Sequence, residues 1–368
     1  MSRTRKSWTF DFRDPCGRLA LPSSSPGPEA IPLFDPPLPM APPLASSATA
    51  PGRPCPLCGS GVADVLPAAS DEKGHCFPRR RCTRCGTGFL DPLPTAAQLN
   101  AAYAVSYYGE GATKFPAPIE RLREAAAAGR ARHLLRGLPT RARILDVGCG
   151  DGRLLRLLGQ RAPAAELHGI ELPGPAADRA AAVPGLRLHR GTLENAPYPD
   201  RHFDLISLVH VLEHLPEPGA ALDRLTRLLR PRGRLLLSFP NLASLQARCF
   251  GTAWFHLDAP RHLALPPPEA VRQHLVARGL ALESLHHACW EQNLYGWLQS
   301  ALNALDRDRN LLYERLKGNR SHLPERHAAV ALHAALAALL LPPALVAELT
   351  ALLARSGATV EMAFRSPS

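Results

Sequence analysis

The chain has 368 residues, enough for two or three domains, and a hydrophobic share of 46%, ample for a buried core. The net charge of +11 comes mostly from arginines scattered over the whole length. A nucleic-acid-binding arm gathers its charge into a run, so this balance reads as a solvated basic surface and disfavours nucleic acid as the partner.

Residues 1 to 50 contain Pro-Ser-Ser-Ser-Pro-Gly-Pro and a second proline-broken run, too interrupted for a helix or a central strand. They are expected to be a disordered leader. Arg3, Arg5 and Lys6 precede Trp-Thr-Phe-Asp-Phe-Arg-Asp instead of an apolar run, so no secretory signal is visible and a cytoplasmic location is expected. Next come Cys55-Pro-Leu-Cys58-Gly and Cys82-Thr-Arg-Cys85-Gly, two C-x-x-C knuckles with 23 residues between them. That spacing suits a tetrahedral four-cysteine zinc site. A disulfide framework is the competing reading, disfavoured by the missing export signal and by five further cysteines that follow no pattern. With four thiolates and no open position, such a zinc would hold residues 51–95 together as a small ribbon and catalyse nothing. Arg79, Arg80, Arg81 and Arg84 could offer it a phosphate or RNA contact, against the plainer reading of a solvated basic hairpin. Tyr103, Tyr107 and Tyr108 follow, either lining an acceptor site or stapling this module to a sheet. Glu120 to Arg136 is expected to be an Ala- and Arg-rich helix.

Ile144-Leu-Asp-Val-Gly-Cys-Gly-Asp-Gly152 is the stretch that organises the rest. Ile144, Leu145 and Val147 suit a strand buried on both faces, and Arg153-Leu-Leu-Arg-Leu-Leu158 a helix showing leucines to a sheet. Gly148, Gly150 and Gly152 allow a sharp turn and close ligand approach at a helix N-terminus, where free amides attract an anionic group. The spacing G-x-G-x-G differs from the dinucleotide fingerprint G-x-G-x-x-G. Asp146 would oppose a pyrophosphate but suits a ligand bearing an ammonium and a sulfonium. About 20 residues on, Leu167-His-Gly-Ile-Glu171 ends a second strand in an acid placed for two ribose hydroxyls.

L-D-V-G-C-G-D-G followed by G-I-E resembles the class I S-adenosylmethionine-dependent methyltransferases. The resemblance implies an α/β, doubly wound, Rossmann-like sheet of seven strands over residues 96–290 and 358–368. Cys149 and Val209 would join the residues around the cofactor. The cysteine module leading into F-L-D-P-x-P and Y-x-x-x-Y-Y is similar to the N-terminal part of a zinc-ribbon-bearing bacterial subgroup of that family.

The later elements keep the alternation. Gly185 to Arg190 is a short third strand, and where the family often carries an acid for the adenine amino group the next turn has Thr192. Glu194 is the nearest carboxylate, and backbone amides near Leu193 are the other means of reading adenine. Phe203 to Val209 is a fourth strand, Ala220 to Arg230 a helix and Arg234 to Phe239 a fifth strand. His210-Val-Leu-Glu213-His214 also matches a zinc-peptidase pattern, which needs a continuous helix that the strand before it and Pro216 after it deny. At the carboxyl end of strand four, where donor and acceptor meet in the family, His210 and His214 are candidate general bases that Glu213 could orient, against a plain strand-capping role. Leu208-Val-His-Val211 lacks the Asn/Asp-Pro-Pro-aromatic turn of amine methylases. In relatives the segment W-x-x-x-D-x-P-R-H-L lies over the active-site mouth, so Asp258, Arg261 and His262 are expected to touch the acceptor or to cap the next helix. Helix 269–278, strand 282–289 and strand Thr359 to Arg365 complete the sheet.

Residues 291–357 form an apolar helical insertion in which Pro342-Pro343 is expected to divide Ala328 to Leu353 into two helices packed on the sheet. Neither half reaches the ~20 residues that span a bilayer. A lid, a dimer face and peripheral membrane contact through 328–353 are the other readings. The chain is thus expected to move a methyl group from S-adenosylmethionine to an oxygen or carbon of a small-molecule, glycan or lipid-like acceptor. RNA methylation and a non-catalytic cofactor-binding scaffold are the alternatives.

Overall fold

A computed structural model describes residues 52–103, 115–305, 309–317 and 327–368. The expected leader at 1–50, Tyr107 and Tyr108 lie outside the described residues. In chain order the elements are β1 (Ala63–Ser70), β2 (Cys76–Cys82), β3 (Gly88–Leu90), α1 (Ala96–Ala102), α2 (Ala117–Leu134), β4 (Arg143–Val147), α3 (Arg153–Arg161), β5 (Glu166–Glu171), α4 (Pro175–Ala181) and β6 (Leu186–Arg190). There follow β7 (Phe203–Val209), α5 (Pro218–Leu228), β8 (Leu229–Pro240), α6 (Leu245–Phe250), β9 (Ala264–Leu265), α7 (Pro268–Val276), β10 (Ala281–His286), α8 (Trp290–Leu305), α9 (Leu311–Leu316), α10 (His327–Leu353) and β11 (Thr359–Arg365).

The large sheet has seven strands in the order β10-β11-β8-β7-β4-β5-β6. Strands β4 to β8 run parallel, and β11 enters antiparallel between β8 and β10. This is the doubly wound sheet that the alternation of apolar runs and helices called for. Ile144, Leu145, Leu205, Ile206, Leu208, Leu235 and Leu237 are buried, as central strands covered on both faces require. Helix α3 buries Leu154, Leu155, Leu157 and Leu158 against that sheet.

The four-cysteine segment is not set apart. Strands β1, β2 and β3 make a second, antiparallel sheet whose fourth strand is β9, with Phe89 opposite Ala264. Cys55, Leu57 and Cys82 share one buried cluster with Leu145, Val147 and Leu208 of the large sheet. Gly219, at the start of α5, donates its amide to the Pro56 carbonyl at 3.1 Å, and a Cβ there would sit 3.0 Å from that oxygen. Residues from Gly52 to Ser368 accordingly form one compact unit.

The insertion departs from expectation. Pro342 and Pro343 lie inside a single helix of 27 residues and do not divide it. Two prolines remove the amides that would bond the carbonyls of Ala338 and Leu339, both on the exposed side of α10, where water can take the freed groups. The helix also does not pack as two pieces on the sheet. One face, with His333, Ala344, Glu348 and Ala351, is buried, and Ala344 and Ala351 cluster with Trp297 of α8. Glu348 accepts hydrogen bonds from Asn293 Nδ2 and Trp297 Nε1, each at 3.1 Å. The opposite face leaves Leu332, Leu339 (72% exposed), Val346, Leu349 and Leu353 (82%) in the open. Unbroken, Ala328–Leu353 is by length and composition apolar enough to cross a membrane, which its two halves taken separately are not.

Candidate active site

The parallel strands bring their carboxyl ends together, and the expected cofactor residues stand there. Asp146 lies near the end of β4, its carboxylate accepting a 2.7 Å hydrogen bond from the Ser207 hydroxyl. Burial raises its pKa to about 7, against the stabilising pull of Ser207 and Arg130 on the charged form. Sequence reasoning passed over Ser207, although a polar residue amid Leu205-Ile-Ser-Leu-Val on a central strand was the available signal. The register sets Asp146 beside Ser207 on the neighbouring strand.

The turn after β4 has Gly148, Gly150 and Gly152 all at positive φ, between 59° and 75°. At Gly148 a Cβ would collide with the methyls of Val211, whereas Gly150 faces open space. The first glycine therefore permits close packing, and the second leaves room for a ligand. Cys149 is buried in the same turn, its thiol pushed up by that burial and by the Asp146 charge. Glu171, at the end of β5, accepts the Gly150 amide at 2.7 Å and the Leu172 amide at 3.1 Å. Its two oxygens keep lone pairs for hydroxyl donors, so the acid, the turn and Asp146 fit a ligand with a ribose and an ammonium.

After β6, Thr192 and Glu194 are exposed and Leu193 is buried in the core. Asn195, which sequence reasoning also missed, accepts the Thr192 amide at 2.9 Å and lies 2.8 Å from His189 Nε2. An Asn side chain thus shapes the turn where the family often has an acid. Val209 closes β7, partly buried against the cluster of Ile144 and Leu155.

His210 follows immediately at φ 58°, an unusual conformation for a residue with a side chain. Its Nδ1 donates to Glu213 Oε1 at 3.3 Å, and its ring is partly exposed. Only a single 3-10 turn, Leu212–His214, follows, so the helix that a peptidase motif needs is absent there. Glu213 is 1% exposed and its Oε2 has no hydrogen-bond partner. Burial opposes its ionisation, but the His210 bond and the charges of His210, His214 and His262 prevail and hold its carboxyl down to about 2. His214 Nδ1 lies 3.0 Å from the Arg261 carbonyl and 2.9 Å from the Tyr103 hydroxyl, and burial together with His262 holds its pKa down to about 4. His262 packs its ring against His214 at 4.7 Å between centroids, with Nδ1 2.7 Å from the His256 carbonyl.

Arg261 does not reach toward an acceptor. Its guanidinium is buried, paired with Asp258 and with Glu72 of the β1–β2 turn and donating to the Ala102 carbonyl at the end of α1. Asp258 answers that charge: burial opposes its ionisation, and Arg261 outweighs it, so the carboxyl is held well below its ordinary range. This segment therefore ties the cysteine sheet to the strand ends. Glu72 and the Ala102 carbonyl are the contacts that Arg261 makes there.

The four cysteine sulfurs converge within 4.8 Å of one another. Cys55 and Cys85, and Cys58 and Cys82, stand 3.6 Å apart, far from a disulfide bond. Sulfurs at ~2.3 Å from one zinc would be separated by about 3.8 Å, so this donor set fits a tetrahedral ion.

Comparison with known proteins agrees with this arrangement. The family described as "Methyltransferase domain" matches residues 119–285. Ubiquinone biosynthesis O-methyltransferase of Xylella fastidiosa is 37% identical over an alignment of 113 residues that covers 27% of this chain and 42% of that protein. Trans-aconitate 2-methyltransferase of Methylobacterium nodulans is 34% identical over 101 residues, 27% of this chain and 39% of that protein. The chain thus spans less than half the length of these relatives. Among solved structures, the [4+2]-cyclase SpnF aligns with 74% of this chain and 92% of its own at 19% identity and a TM-score of 0.45. Residues 119–285 thus match a methyltransferase domain, and the seven-stranded sheet with its glycine turn has the fold of the class I S-adenosylmethionine-dependent methyltransferases.

Proposed function

We propose that the protein transfers a methyl group from S-adenosylmethionine to an oxygen or carbon of a small-molecule acceptor, and that the four cysteines hold a structural zinc. The observation that carries the reading is the convergence of Asp146, the open Gly150 turn, Glu171 and the His210–Glu213 pair at one edge of the sheet. Two of the relatives above are methyltransferases of small molecules by name, and one is an O-methyltransferase, which favours an oxygen acceptor.

In this reading Asp146 and Glu171 take the ammonium and the ribose hydroxyls. The turn from Gly148 to Gly152 with Cys149 receives the carboxylate, and Thr192, Leu193, Glu194 and Val209 border the base. S-adenosylmethionine supplies a methyl carbon on a positively charged sulfur. His210 is more open than His262, with 29% of its side chain exposed against 10%, and its Nε2 can take the acceptor's proton while Glu213 steadies the charge that the ring acquires. His214 and His262 have Nδ1 committed to backbone carbonyls, so they shape the pocket instead of relaying that proton.

Calorimetric titration with S-adenosylhomocysteine tests the reading, with an Asp146→Ala variant alongside. Micromolar binding that the variant loses supports it, and a wild type that binds neither this ligand nor S-adenosylmethionine overturns it.

A further inference from the structure

Glu213, His214 and His262 each offer one donor atom within 4.8 Å of the other two. Both rings are pinned the same way. The Arg261 carbonyl at 3.0 Å and the His256 carbonyl at 2.7 Å can only accept, and the Tyr103 hydroxyl at 2.9 Å from His214 Nδ1 can accept as well as donate, so with Nδ1 protonated to meet the carbonyl in each ring Nε2 is left with its lone pair. A backbone carbonyl behind each imidazole is the second-sphere arrangement that orients metal-binding histidines. The third donor fits as well, since Glu213 is almost wholly buried and its Oε2 has no partner. A buried carboxylate oxygen left without a donor is costly unless something cationic meets it. The guanidinium of Arg261 is paired with Asp258 and Glu72 and leaves that oxygen without a donor. His214 and His262 are only partly buried, so the cluster is not sealed from solvent, and three protein ligands fill fewer positions than such an ion takes.

We propose that Glu213, His214 and His262 form a binding site for one divalent transition-metal ion, distinct from the four-cysteine site, whose open positions take an acceptor oxygen. Two imidazoles and one carboxylate suit manganese, iron, cobalt or zinc, whereas four thiolates select zinc. The assignment of the acceptor oxygen rests on the methyltransferase reading, and the site itself does not. His210 stays outside the ligand set, bonded to the other oxygen of Glu213.

The test uses the full chain with its cysteines loaded with zinc. Manganese(II) is titrated and followed by the electron paramagnetic resonance of the free ion, and S-adenosylhomocysteine binding is measured on the same samples. One bound manganese per chain, with spin-echo modulation from imidazole nitrogen, is the expected result. His262→Gln and Glu213→Gln should each weaken it by at least about tenfold. Should the buried Glu213→Gln change unfold the chain, the partly exposed His262→Gln still decides. A wild type that binds S-adenosylhomocysteine but leaves manganese free overturns the site, as does an unweakened His262→Gln variant. Manganese bound without S-adenosylhomocysteine would instead sustain the site and overturn the methyltransferase reading.

Discussion

Asp146 should make cofactor affinity depend on pH near neutrality. Burial raises its pKa to about 7, so in the ligand-free protein the carboxyl is half protonated at neutral pH. A ligand that places an ammonium against it needs the charged form, and binding must then expel the proton. Apparent affinity falls by a factor of one plus ten to the power of pKa minus pH. That factor is roughly 1.1 at pH 8 and roughly 11 at pH 6, a tenfold loss worth about 1.4 kcal/mol. Glu171, whose pKa burial also raises, releases its proton in the same direction. Stability of the free protein has the opposite slope: a raised carboxyl pKa means that stability falls as pH climbs from the ordinary aspartate range through about 7. Calorimetry with S-adenosylhomocysteine between pH 6 and 8 measures the effect. Asp146→Asn should weaken binding and flatten the slope, and Ser207→Ala should shift the midpoint upward by removing the bond that favours the carboxylate. A wild type with pH-independent affinity, or an Asp146→Asn variant with the wild-type slope, refutes the assignment.

Gly148→Ala forces a side chain into φ +66° and onto Val211, so urea unfolding should show a loss of roughly 1–3 kcal/mol and calorimetry a loss of ligand binding. Arg261→Ala strands the buried Asp258 and frees Glu72, and should cost about 3 kcal/mol in the same unfolding assay. Stripping metal from the four cysteines should lower the whole melting transition rather than split off a separate one, because Cys55 and Cys82 share a core with Leu145, and differential scanning calorimetry reads this directly. Leu339→Glu with Val346→Glu alters only exposed positions of α10, so chemical denaturation should stay within about 0.5 kcal/mol of wild type.

The central sheet was legible because its strands and helices are local signals: apolar runs bounded by turns, and a glycine turn whose backbone needs are written in its residue types. The places of the acids at 146 and 171, one just before and one at the end of a strand, were legible for the same reason. What escaped is set by contacts distant in the chain. Ser207 meets Asp146 only through the register of β7 on β4. The two-residue β9 is too short to announce itself, yet it joins the cysteine sheet to the strand ends. Arg261 looked like a residue for an acceptor because its segment lies over the active-site mouth in relatives, and Glu72 and Asp258 bury it instead. Pro342-Pro343 looked like a break because proline costs hydrogen bonds, and the cost is small where water can take the carbonyls.

Pairing of Phe89 with Ala264 sets a timetable for the newborn chain. Strand β3 emerges long before its partner, and at about 5–20 residues per second the ribosome needs roughly ten to thirty-five seconds to make the stretch between them. During that interval Phe89 and Leu90, both buried in the finished protein, have no neighbour on that edge, and the knuckles already made cannot lock against the large sheet. The amino-terminal sheet must therefore wait, open on one side, for the segment that closes it.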